Sequence, residues 1–175
     1  APRSVVLAAG AGNAMVRERA GLATGAMQRR ALHMVMVRGE AGSLPELCGH
    51  QVDGAHTRMT ITSSIDSGGR TVWQLGGQVA EDGVAMERRE LVAHAARELA
   101  EVLPGLDRVP LEAASYRVDR AEAATQDGRR PANLSLLVDG NTITAWPPKL
   151  ALAPALAEQV AGALDHPPPP AAAGW

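Results

Sequence analysis

The chain has 175 residues and a formal net charge of −2, from 17 lysines and arginines against 19 aspartates and glutamates. A chain so close to neutral has no strong electrostatic attraction for nucleic acid or for an anionic membrane, so neither is an expected partner. Cys48 is the single cysteine, which excludes an intramolecular disulfide and favours a reducing compartment, the cytoplasm. No apolar run approaches membrane-spanning length, and we expect a globular fold with a core of its own.

The chain opens on an apolar strand followed by a turn of small residues. Residues 5–9 (VVLAA) are typical of strands buried on both faces of a parallel sheet. Gly10-Ala11-Gly12 follows, and its small side chains allow close approach of a ligand or of another strand. No GxGxxG dinucleotide fingerprint occurs in the chain. Because such a strand belongs in mid-domain, we expect the chain to begin inside a larger fold.

The middle of the chain is predicted to be rich in strands. Alternating or β-branched segments predict strands at residues 27–37, 47–52, 58–64, 71–79 and 112–123. The third and fourth of these form a predicted β-hairpin, and Gly76-Gly77 marks a bulge or a close backbone approach. Apolar residues at helical spacing predict one long helix over 86–103, which Pro104-Gly105 ends.

A dense run of charge at 117–122 lies on the last of these strands. The commoner interpretation is a solvated sheet edge. The alternative is that one arginine turns into a cleft and binds a substrate carboxylate through a bidentate pair. The five histidines complete no metal-ligand pattern, so no metal site is expected.

Residues 141–164 predict a strand, a sharp turn and a helix. Thr142, Ile143 and Thr144 suit a strand, and the following prolines end it. The helix would direct unpaired N–H groups at the turn, where Lys149 adds a positive charge. One interpretation is that this segment only packs against the rest of the fold. The other is that the turn is a binding site for an electron-rich oxygen of a cofactor. With the opening strand, this predicts an α+β fold: a β-rich sheet with one long helix, bracketed by end segments that come together to complete one sheet.

Four segments of the chain carry a resemblance to a known family. They are VVLAAGAG at 5–12, Leu75-Gly76-Gly77 with Glu81, Arg120 followed by Asp127-Gly128-Arg129-Arg130-Pro131, and 143–157 with Leu152-Ala153-Pro154. Their order along the chain identifies the family more specifically than any one segment does. Together they resemble the flavoprotein family of D-amino-acid oxidase, glycine oxidase and sarcosine oxidase. The resemblance covers nearly the whole chain except the tail. The chain lacks the N-terminal GxGxxG unit that members of the family have.

The resemblance implies FAD as cofactor and a division of the chain by role. Residues 1–26 would close the first stretch of an FAD-binding Rossmann-like domain, 27–123 would form the substrate-binding sheet, and 124–165 would return to the FAD domain. A disordered or polyproline tail is expected at 166–175. The implied cofactor-binding residues are Ala9, Gly10, Ala11, Gly12, Gly128, Pro147, Pro148, Lys149 and Leu150, and the implied substrate-binding residue is Arg120.

The implied activity is hydride transfer from an amine or amino-acid-like substrate to the flavin, with no protein base assigned. This chain alone would be an incomplete enzyme that needs a missing N-terminal half or a partner chain. Two alternatives stay open. The chain is a non-catalytic binding or interaction module, or it is a subunit whose cofactor half is a separate chain.

Overall fold

The computed structural model describes residues 2–54, 56–147 and 149–165, so Pro148 and the expected tail at 166–175 lie outside the described residues. Strands and α-helices follow one another in the described part as β1 Val5–Leu7, α1 Asn13–Arg19, β2 Met27–Arg38, β3 Cys48–Asp53, β4 His56–Ile65, β5 Thr71–Gly76, α2 Gln78–Asp82, α3 Arg88–Val102, β6 Glu112–Ala123, β7 Ser135–Asp139, β8 Thr142–Trp146 and α4 Ala153–Asp165. This mixture confirms the predicted α+β class. Within these residues, no helix has the length and apolar character needed to cross a membrane.

The chain divides into two compact units. The central unit is Ala31–Val118, and the terminal unit comprises the residues up to Arg30 together with those from Asp119 onward. The assignment of these parts to substrate and cofactor binding stays a prediction.

The central unit is built on antiparallel strands. The sheet order is β3-β4-β5-β2-β6, and Ile61 of β4 lies opposite Leu75 of β5, which confirms the predicted hairpin. Helix α3 packs on this sheet through Leu91, Ala95 and Leu99, all buried. The core they join comprises Val35, Val37, Leu44, Met59, Ile61, Trp73, Leu75 and Val79. This core contains a large aromatic and long aliphatic side chains, and its largest members are fully buried.

The predicted strand 71–79 is wrong at its end, because β5 stops at Gly76 and helix α2 begins at Gln78. Gly77 between them has φ 76° and ψ −148°, a backbone conformation that glycine adopts without strain. A Cβ added at Gly77 would lie 2.9 Å from the carbonyl oxygen of Thr57. The predicted close backbone approach is therefore confirmed, at the end of the strand rather than inside it.

The terminal unit contains a small mixed sheet in the order β1-β8-β7. Strand β1 is parallel to β8, with Val5 opposite Thr142, so the two end segments do complete one sheet as predicted. Strands β7 and β8 form an antiparallel hairpin whose turn contains Gly140. Strand β1 is shorter than predicted and ends at Leu7, since the chain bends toward α1 soon afterwards.

The two faces of this small sheet are covered by different helices. Thr144 faces α1, because its hydroxyl accepts a hydrogen bond from Arg17. Side chains alternate along a strand, so Ile143 and Ala145 face the other way, toward α4, which packs on β7 and β8. By the parallel register, Val6 lies on the same face as Ile143.

Candidate functional site

Two turns meet at one edge of the terminal sheet. Because β1 and β8 are parallel neighbours, with Leu7 opposite Thr144, the turns that follow them leave the sheet at the same edge, called here the carboxyl edge. The first turn contains the 3-10 helix Gly10–Gly12, and the second leads into the 3-10 helix Leu150–Leu152 before α4. Ligands of open α/β sheets bind outside the carboxyl ends of parallel strands. Both chain segments assigned to cofactor binding therefore lie where such a sheet binds its ligand.

A groove of about 780 Å³ begins at this edge and runs along α4; it is called here the α4 groove. Gly10, Ala11 and Pro147 line it, so the structure brings three of the sequence-predicted cofactor residues together. A Cβ added at Gly10, whose φ is 55°, would meet nothing within 4 Å. There is accordingly open space directly beside the first turn.

The other sequence-predicted cofactor residues that the structure describes do not line the groove. Ala9 and Gly12 flank its wall in the first turn, and Lys149 and Leu150 follow Pro147 in the second, where both are exposed. Leu150 is 88% exposed. Pro148 lies outside the described residues. The structure therefore places four of these residues beside the groove and leaves their contact with a cofactor untested.

Gly128 lies elsewhere in the terminal unit, in the polar loop after β6. Its carbonyl oxygen accepts a long hydrogen bond of 3.4 Å from the Gln28 side chain, and the Arg129 carbonyl accepts a shorter one of 2.8 Å. The Arg129 backbone N–H lowers the pKa of the Asp127 carboxyl, with a further contribution from the Thr125 hydroxyl. These bonds order the loop locally, and Gly128 is not among the residues that line the α4 groove.

Arg120 is half-buried on β6. Its neighbours Asp119 and Ala121 line the α4 groove, so alternation along the strand places Arg120 on the opposite face. Glu122 shares that face and is buried against Arg30, with a 2.8 Å ion pair. In the described part of the chain, β6 is the end strand of its sheet, as the solvated-edge interpretation of the charge run expects, but Glu122 of that run is buried. The structure thus separates Arg120 from the groove by the thickness of the strand.

Arg17 is a functional candidate that the sequence did not reveal. Its side chain is fully buried, and it donates to the Asp139 carboxylate at 2.8 Å, the Thr144 hydroxyl at 2.7 Å and the Ala23 carbonyl at 2.8 Å. Arginine is almost never fully buried unless it is paired. Asn13 and Arg17 are four residues apart and therefore lie on one face of α1. This spacing was the sequence feature that could have indicated a buried polar face on the helix.

Three buried donors in this unit have no hydrogen-bond partner in the described part of the chain. They are Asn13 Nδ2, Arg17 Nη2 and Trp146 Nε1. Asn13 is tied to the first turn, because its Oδ1 accepts a 2.8 Å bond from the Ala9 N–H. Trp146 ends β8 at the carboxyl edge and also lines the groove. Since buried polar groups are nearly always paired, Asn13 beside the first turn and Trp146 at the end of β8 are candidate donors to a group bound at this edge.

Known proteins resemble this chain over almost all of its length. A probable FAD-dependent oxidoreductase of Pseudomonas aeruginosa is 45% identical over 164 residues, which cover 93% of this chain and 41% of the relative. A crystal structure of the FAD-dependent oxidoreductase from that organism aligns with a TM-score of 0.82 at 45% identity, over 93% of this chain and 45% of that chain. The chain therefore spans less than half the length of the relatives it matches. No protein-family profile matches it.

Proposed function

We propose that this chain is the flavin-side part of an FAD-dependent oxidoreductase that acts on amine or amino-acid-like substrates, related to the D-amino-acid oxidase, glycine oxidase and sarcosine oxidase family. One observation carries the proposal. The parallel pairing of β1 with β8 places the turn at 9–12 and the turn at 147–150 at one carboxyl edge. The name of the 45% identical relative supports FAD as the cofactor. The amine substrate rests on the sequence resemblance.

The residues at the carboxyl edge fit such a cofactor. FAD carries oxygen acceptors on its phosphates, its ribityl chain and its ring, and the unpaired Asn13 Nδ2 and Trp146 Nε1 are donors. The groove beside Gly10 and Ala11 is open and apolar, as a flat ring system requires. Asn13, Trp146 and the backbone of the first turn would hold the group.

FAD, when bound, supplies an acceptor for the hydride that leaves the substrate C–H bond next to the amine. The chain's own residues would bind and orient. The sequence resemblance implies that Arg120 would bind the substrate carboxylate by a bidentate pair, although its side chain lies on the face of β6 that points away from the α4 groove. Lys149 would place an exposed positive charge at the turn after β8, where it favours negative charge on the bound group. We assign no residue as a proton-transferring base, and we propose the cytoplasm as the compartment.

A chimera tests this function. The chain replaces the matched 164-residue segment of the Pseudomonas relative, and the visible absorption spectrum is recorded for the chimera and for the chain alone. We expect a flavin spectrum from the chimera and poor FAD binding by residues 1–175, because no GxGxxG unit is present to hold the dinucleotide. Ala11→Glu should lower the flavin content of the chimera, and Ala124→Glu, in an exposed position after β6, should not. A yellow chain with stoichiometric flavin would contradict the claim that its cofactor site is incomplete.

Kinetics then separate the two charged residues. In an active chimera, Arg120→Ala should raise the substrate KM, because the carboxylate loses a charge-assisted partner at about 2–5 kcal/mol. Lys149→Ala should leave substrate binding nearly intact and slow flavin reduction, because its charge acts only as negative charge develops. Rapid-mixing measurements of flavin reduction against substrate concentration distinguish these results. Equal, small effects from both changes would remove both residues from the site.

A further inference from the structure

The central unit contains a cavity of about 210 Å³ between β3 and the end of α3, called here the β3 cavity. Its apolar walls come from Leu47, Met59, Ile61, Val102 and Leu103. Among the described residues, no aspartate, glutamate, lysine or arginine lines it. Burying an unpaired charge is costly, so an occupant of this cavity must be uncharged.

Gly49 is the reason that this space is open. In the pairing of β3 with β4, Gly49 lies opposite Ile61. Residues directly opposite each other in an antiparallel pair share one face of the sheet, so Gly49 is on the core face and contributes no side chain there. A Cβ added at Gly49 would meet nothing within 4 Å, and Gly49 is not among the glycines with a positive φ. The missing side chain, and not a special backbone conformation, therefore leaves a gap in a close-packed core.

Gln51 supplies a polar group to the same face of β3. It lies opposite Met59, whereas alternation turns the side chain of His50 to the other face. Gln51 Oε1 is buried and has no hydrogen-bond partner in the described part of the chain, while its Nε2 donates to the Val52 carbonyl at 3.3 Å. A buried acceptor without a donor is destabilising. The β3 cavity thus combines apolar walls with one acceptor that a ligand could satisfy.

We propose that the β3 cavity binds a small uncharged aromatic alcohol of the size of phenol. Its ring packs on Met59, Ile61 and Val102, and its hydroxyl donates a hydrogen bond to Gln51 Oε1. An apolar cavity of roughly 150 Å³ admits benzene, so the β3 cavity has room for a ring with one hydroxyl. The Met59 thioether favours an aromatic ring over an aliphatic one. This site belongs to the central unit alone and does not depend on the proposed flavin chemistry.

Phenol and toluene test the proposal, because they have the same size and differ in the hydroxyl. Both are titrated into the full chain, and amide chemical shifts measured by NMR separate the β3 cavity from the α4 groove. We expect saturable phenol binding with a Kd of about 1 mM or tighter, and shifts at residues 47–51 and 102–103. Gln51→Met keeps the side-chain length and removes the acceptor, so it should weaken phenol relative to toluene by about fivefold or more. No saturable phenol binding at these residues, or an unchanged ratio in Gln51→Met, overturns the proposal.

A second variant fills the cavity. Gly49→Val places a side chain suited to a strand in the open space, so it should abolish binding of both molecules without lowering the thermal unfolding midpoint. Gly162→Val is the matched control, because Gly162 is exposed on α4 and a Cβ added there also meets nothing within 4 Å. It should bind phenol as the unsubstituted chain does. Phenol binding by a folded Gly49→Val chain at the same residues overturns the proposal, and if this variant does not fold, the ratio measured with Gln51→Met decides.

Discussion

The central and terminal units differ in how completely each covers its own sheet with side chains and helices. The central unit buries Met59, Leu75 and Leu91 completely, and its helix α3 covers its own sheet. The terminal unit leaves Val6 exposed on a parallel strand. Among the described residues, buried polar atoms without a hydrogen-bond partner occur in both units: three donors in the terminal unit, and Gln51 Oε1 and His94 Nε2 in the central unit. An antiparallel sheet closes through neighbouring strands of the same chain, whereas parallel strands depend on crossover units. The turns proposed to bind the cofactor thus belong to the unit whose parallel strand is left partly uncovered in the described residues.

The two units also differ in what stabilises them. The central unit depends on the close packing of large apolar side chains, whose loss creates a cavity. The terminal unit depends on a buried arginine that links α1 to β7 and β8 through Asp139 and Thr144. Substitutions should therefore act mainly through lost apolar packing in the central unit and through lost charged hydrogen bonds in the terminal unit. Four experiments test this difference.

The largest effect is expected at Arg17. Arg17→Met removes the positive charge and leaves the Asp139 carboxylate and the Thr144 hydroxyl without their donor. Breaking a buried pair from one side costs about 3–5 kcal/mol. Hydrogen exchange of the β8 amides should report this loss, while Arg19→Met, exposed on the same helix, should change little. Similar exchange in both variants would show that the terminal unit does not depend on the buried pair.

Leu91→Ala is the corresponding test of the central unit. Leu91 is fully buried, and a Cβ added at Gly83 would come within 2.6 Å of its Cδ1, which shows how closely this region is packed. We expect a loss of about 2–5 kcal/mol in the free energy of unfolding, measured by urea denaturation. Leu150→Ala, at an 88% exposed position, should stay within about 0.5 kcal/mol. A small effect at Leu91 would mean that the core relaxes around the cavity.

Gly77→Ala tests the close approach at the end of β5. The new Cβ would lie 2.9 Å from the Thr57 carbonyl oxygen and 3.1 Å from the Arg58 carbonyl oxygen, and backbone atoms cannot rotate away. The positive φ adds backbone strain of about 1–3 kcal/mol. We therefore expect Gly77→Ala to lower the free energy of unfolding by at least this amount. Gly140→Ala also introduces a side chain at a positive φ, 59°, but with open space around it, so it tests such a position without the backbone contact. Equal costs in urea denaturation would show that the contact itself is unimportant.

The sequence predicted regular segments well because their patterns are local. Alternation located β4 and β6, helical spacing located α3, and the apolar run at 5–9 with the β-branched residues at 142–144 predicted the joined end segments. The end of β5 escaped prediction because Gly77 takes a positive φ there and lies close to the backbone of Thr57, which is distant in sequence. Arg17 escaped for a similar reason: its partners Asp139 and Thr144 lie more than 120 residues away. The sequence predicted that β1 and β8 share one sheet, and the meeting of the turns that follow them is a consequence of that pairing. It also predicted Gly128 beside these turns, but Gly128 is not among the residues that line the groove there.

The smallest effect concerns acid stability of the central unit. A hydrogen bond from Arg58 lowers the pKa of the Glu98 carboxyl below its usual range. A carboxyl with a lowered pKa stabilises the folded state above its unfolded pKa of about 4.3, and this stabilisation is lost as pH falls through the folded pKa. Arg58→Met should therefore lower the free energy of unfolding slightly at pH 7, and this difference from the unsubstituted chain should shrink toward pH 3. Urea denaturation at each pH measures it, with Arg89→Met, exposed on α3, as the control. A difference that is the same at pH 7 and pH 3 would assign the effect of Arg58 to packing rather than to its charge.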